Sequence, residues 1–152
     1  MASSEIERIV DQLERAFDGK AWHGPAVMKI LRGIRANQAS ARLMPDTHTT
    51  WEIVAHMTGW KRIITRRIAG NVVKVTPAQN WPRPKGTWAG AVSNLRRAHR
   101  DLIKAVRKLP EARLDAKVPG KGHNFYITLH GMVQHDLYHA GQIALLKKAL
   151  HS

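Results

Sequence analysis

Apolar residues recur every three or four positions through four stretches of this chain, with Gly or Pro between them. That is the helical period, not the strand period, so the chain must bury its apolar surface by packing helices together. The first stretch opens with Ser4 and Glu7, a capping-box pattern, runs through Ile6, Ile9, Val10, Leu13 and Phe17, and ends at Gly19. Pro25 suits the first turn of a short helix holding Val27, Ile30, Leu31 and Ile34. A second capping box, Thr49 with Glu52, opens a helix expected over 49–69, with an inward stripe of Ile53, Met57, Trp60, Ile64 and Ile68. Two more helices are expected over 87–109 and 126–150. Between them lie two long loops. One, over 71–86, holds Pro77, Pro82, Pro84 and an exposed-looking Trp81 and is a candidate pocket wall; the other holds Pro110, Pro119, Gly120 and Gly122. Val72, Val73 and Val75 are too few to build a sheet. The expected fold is all-α: a four-helix bundle with one extra short helix and two long Pro/Gly-containing loops, in one domain over 1–152.

Composition narrows the chemistry. The chain has no Cys, which excludes disulfides, thiolate metal sites, iron–sulfur clusters and a cysteine nucleophile. Its net charge of +14 raises nucleic acid as a partner, but Arg96, Arg100, Lys104 and Arg107 fall on one helix face opposite an apolar stripe, the pattern of a solvated surface. No DNA-reading signature accompanies them, so acidic small molecules are the favoured use of the charge. No apolar run reaches the ~20 residues of a bilayer span, and Glu5, Glu7 and Asp11 stand where a signal peptide would be basic; the expected location is the cytoplasm, with no membrane partner.

The nine histidines are the remaining source of reactivity. In the last helix the inward stripe runs Met132, His135, His139, Ile143, Leu146, Leu150. A four-residue step leaves two side chains about 40° apart on one face, which suits two imidazoles converging on one metal ion. The competing account is two histidines at a core edge, each bonded to a carbonyl. His56, between Ile53 and Trp60, supplies a third imidazole on the facing helix, and burying three without a shared partner would leave several polar groups unmet. His99 also points inward and is a weaker ligand candidate; His130 faces elsewhere, Tyr138 is read as packing, and His23, His48, His123 and His151 as solvated. Glu52 could ligate, accept behind a ligand or act as a base, with its capping role slightly favoured, and Gln142 is a candidate contact behind a ligand or to substrate. Arg62, Arg66, Lys85 and Arg97 are weak candidates for meeting an acidic ligand. Ligation needs neutral imidazoles, so metal affinity should weaken as pH falls toward and below the reference value of ~6.5.

The stretch from Thr128 to Ile143, TLHGMVQHDLYHAGQI, strongly resembles the end of DinB-like proteins. Trp51-Glu52-Ile53-Val54-Ala55-His56 and Trp22-His23-Gly24-Pro25 are similar to that family's earlier motifs, in the same order. The resemblance covers nearly the whole chain. It implies a helical bundle with a three-histidine divalent-metal site at His56, His135 and His139, often a homodimer. The larger superfamily includes metal-dependent transferases that use low-molecular-weight thiols. The expected function is a metal-dependent enzyme, a thiol-cofactor transferase or a hydrolase, holding zinc or nickel and acting on a small substrate, an anionic one being favoured by the net charge. A non-catalytic metal-binding or stress-response protein is the rival, and a basic nucleic-acid binder the third.

Overall fold

The computed structural model describes residues 2–151; Met1 and Ser152, the ends of the expected 1–152 domain, lie outside the described residues. Seven α-helices follow in order: α1 Glu5–Asp18, α2 Val27–Leu31, α3 Ala36–Ala39, α4 Thr50–Ile68, α5 Pro77–Asn80, α6 Trp88–Lys108 and α7 Phe125–Leu150, with a single 3-10 turn at Glu111–Arg113. The four long helices were legible from their stripes and caps. Ser4, Thr49, Thr87 and Asn124 each accept a backbone N–H at the helix start, and Glu52 returns the bond to the Thr49 N–H at 3.1 Å. Where the sequence predicts one short helix, the described residues contain three. The additional ones are four-residue turns: α3 starts at Arg35, where Gln38 accepts the backbone N–H, and α5 is capped by Thr76. Gly19 follows the last residue of α1, where a Cβ would stand 2.8 Å from the Arg15 Cα, so a residue without one suits the position.

The long helices close a ring, α4 against α6 and α7, and α1 against the same two. No described segment forms a strand; Val73 is buried instead, its carbonyl accepting from Arg67 at 2.9 Å. Among the described residues, no helix is long and apolar enough to cross a membrane. The basic face of α6 is partly paired with α1, Arg96 to Asp18 at 3.1 Å and Arg107 to Glu7 at 3.6 Å, exposed contacts that contribute little.

The core is divided. One apolar cluster joins Ile9 and Leu13 to Ile64, Leu102, Phe125 and Leu129; another joins Phe17 and the α2 residues to Ile53, Met57, Leu95 and Ile143. Each fully buried Leu or Ile contributes roughly 1.5–3 kcal/mol to the collapse. Where one cluster gives way to the other along the sequence, α4, α6 and α7 carry buried polar side chains, Lys61, then His99, then Asp136 and His139, while His56 lies just before Met57 within the second cluster's stretch of α4. That polar layer holds the candidate site.

Candidate metal centre

Three imidazoles meet across the α4–α7 contact. The Nε2 of His135 stands 3.0 Å from that of His56 and 3.2 Å from that of His139, and the ligand atoms of all three lie within 4.8 Å of one another. Helix geometry produces this directly: His135 and His139 are one turn apart on α7, and His56 faces them from α4. His56 and His139 are buried and His135 partly so.

The atoms behind the ring nitrogens decide what the cluster can do. His56 Nδ1 lies 2.5 Å from the Asn80 carbonyl oxygen, which can only accept, so this nitrogen carries the proton and Nε2 holds a lone pair. His139 Nδ1 donates in the same way to Gln142 Oε1 at 2.6 Å, as a helical i, i+3 pair. Two lone pairs are thus aimed at His135 Nε2, which can offer at most one proton, while its own Nδ1 is buried without a partner. Nitrogens bound to one ion at about 2.0–2.1 Å stand about 2.9–3.4 Å apart at octahedral-to-tetrahedral angles. Two of the three separations, 3.0 and 3.2 Å, match, and the third pair lies within 4.8 Å, so the residues could gather on a divalent cation.

Burial keeps these rings neutral. It pulls the His56 pKa down to about 4 against the Asn80 hydrogen bond, and that of His135 to about 3; burial also lowers His139, opposed by Gln142. Burial thus shifts proton competition for these lone pairs below the ordinary imidazole range, in the direction the sequence reading expects.

Trp81, expected as an exposed loop residue, is half-buried and lies flat on His56, 3.9 Å between ring centres. His48 covers its other face at 3.4 Å and is therefore stacked, although its side chain remains 45% exposed. Glu52 is turned away to Arg42, His48 and the Thr49 N–H. Although burial opposes it, this set of donors lowers the Glu52 pKa. Its carboxylate is taken up by these three partners, the capping N–H among them. Gln142 sits behind His139, its Oε1 2.6 Å from the ring Nδ1. Tyr138 is 67% exposed, with its ring edge-on to His139 at 5.3 Å, and does not pack inward. His99 points inward but away from the cluster, stacked on Phe17 at 3.8 Å. His130 lies against Tyr126.

Sequence periodicity did not flag the neighbour of this site. Lys61 and Asp136 form an ion pair of 2.7 Å with both side chains fully buried, and Lys61 also lies 4.9 Å from the Phe17 ring. Burial raises the Asp136 pKa while Lys61 opposes it. The signal was available: Lys61 is four residues after Met57 and Asp136 four after Met132, both on inward stripes. Asn80, which orients His56, carried no such signal, because it acts through its backbone.

A model of the DinB superfamily matches residues 21–143. No curated protein and no solved structure matches the chain.

Proposed function

The chain belongs to the DinB superfamily, and on that footing we propose that it is one domain over 1–152 that holds one zinc or nickel ion through His56, His135 and His139 and works as a metal-dependent enzyme, a thiol-cofactor transferase or a hydrolase. The observation that carries this reading is the pair of lone pairs aimed at His135, each fixed by an acceptor behind its ring. A bound divalent ion supplies a nucleophile at neutral pH by lowering the pKa of a water or thiol. The protein's own part is orientation and exclusion. The Asn80 carbonyl and Gln142 hold two rings in the ligating tautomer, and Trp81 shields one side of His56 from water. No carboxylate joins the three nitrogens among the described residues, which supports an ion with exchangeable positions over a closed structural one. A thiol would have to arrive on a small molecule, since the chain has no Cys.

Elemental analysis should find one ion per chain in the parent and almost none in His139→Ala, and a cobalt-loaded sample should change its visible spectrum when a low-molecular-weight thiol is added. Equal metal in parent and variant would remove the site; metal binding without any response to thiols or small anions would leave the structural reading. We place the protein in the cytoplasm as a homodimer. Ile127, Tyr138 and Leu145 are exposed within about 20° of one line along α7, which suits a second copy. A one-chain mass by sedimentation would overturn the pairing.

A further inference from the structure

Beside Trp81, whose two faces are covered by His56 and His48, lies a cavity of about 820 Å³ between α4, α6 and the segment from Val73 to Lys85. Two indoles, Trp51 and Trp81, form part of its wall, and four cations surround it: Arg62 and Arg66 on α4, Arg83 and Lys85 on the loop. No Asp or Glu lines it. None of these four side chains joins an ion pair among the described residues, whereas Arg15, Arg42, Arg96 and Arg107 each do.

Unpaired Lys and Arg are expected in a chain with 25 of them against 11 acids. A scatter over the convex surface would need no explanation. Convergence on a concave, indole-walled space is different, because like charges held together repel and low-dielectric walls focus their field into the cleft. The cost is relieved only by an anion. The volume falls within the range of sites that enclose a small organic ligand.

We propose that this cavity binds a small molecule carrying a phosphate or carboxylate group on a flat apolar body, the anion held by Arg62, Arg66, Arg83 and Lys85 and the flat part lying against Trp51 and the rim of Trp81. Arg62, Arg66 and Lys85 thereby gain a use that sequence alone left weak, while Arg97 lies outside the lining. Trp81 is the common wall: one face lies on His56, and the residue also lines the cavity. A ligand here sits one ring away from the three histidines. The inference deepens the enzymatic reading by naming its substrate class, but binding itself requires no ion.

The test uses chelator-treated protein and 1-naphthyl phosphate as the probe, with neutral 1-naphthol as its partner, by calorimetry at fixed salt. One molecule of 1-naphthyl phosphate should bind per chain, at least tenfold more tightly than 1-naphthol. The double variant Arg62→Ala/Arg66→Ala, both exposed positions, should weaken the probe by about tenfold, while Arg97→Ala leaves it unchanged. Equal binding of phosphate and naphthol, or equal losses in the double variant and Arg97→Ala, would overturn the site. So would duplex DNA whose binding falls in the double variant while the probe fails to bind. Because the measurement is made without metal, failure here leaves the three-histidine reading standing, and loss of metal in His139→Ala leaves this site intact.

Discussion

Lys61 with Asp136, and His56 with His135 and His139, occupy the same polar level of the bundle and are contributed by the same two helices. Their chemistry differs. The first pair meets charge with charge: an ammonium stands 2.7 Å from a carboxylate, which offsets part of the desolvation within the protein. The second group has no opposite charge to meet. It is kept neutral by burial, and where its Nε2 atoms meet, two lone pairs face at most one proton, an arrangement that a cation would relieve. One cluster is matched in charge on folding, although Asp136 Oδ1 keeps no hydrogen-bond partner, and the other carries no charge to match, so removing a member should have different consequences in the two.

The largest expected effect breaks the self-contained pair. Asp136→Ala strands the buried Lys61 charge and should cost about 3–5 kcal/mol in a denaturant melt, while Lys61→Met with Asp136→Leu should recover most of it. His139→Ala in metal-free protein should cost less than half as much, because it leaves no charge unmatched. Equal costs would erase the distinction.

Acid should sharpen it next. Burial, aided by nearby Lys61, holds His99 down at about 2, below its unfolded value near 6.5. A depressed histidine contributes its full stability above 6.5 and loses it as pH falls, because the unfolded chain takes the proton first. At pH 5 that loss is about 2 kcal/mol for each histidine kept neutral by the fold. His56 and His135 add to it in the same direction, while the raised Asp136 opposes it as it takes up a proton. Comparing melts at pH 7 and pH 5, His99→Leu should lose about 2 kcal/mol less than the parent; an identical loss would mean that His99 is not held neutral.

The smallest effect concerns the support behind a ligand. Gln142→Ala leaves all three imidazoles but removes the acceptor at 2.6 Å that orients His139, and should weaken zinc binding about tenfold with little change in metal-free stability. Unaltered affinity in a competition titration would show that the ring is held by packing alone.

The order of residues along the chain is enough to determine much of this protein. Period, caps and breakers locate the four long helices, because backbone groups must be satisfied locally and apolar stripes must face a core. The i, i+4 pair on α7 and the inward phase of His56 follow from the same geometry. The three-dimensional fold decided what depends on distant chain segments. It brought the Asn80 carbonyl, 24 residues from His56, to that ring; laid Trp81 between two histidines; engaged Glu52 with Arg42 and His48; and paired Lys61 with a carboxylate 75 residues away. Helical periodicity reports which way a side chain points from its own axis. The partner it meets depends on the packing of the other helices, and that packing is set by the whole core at once.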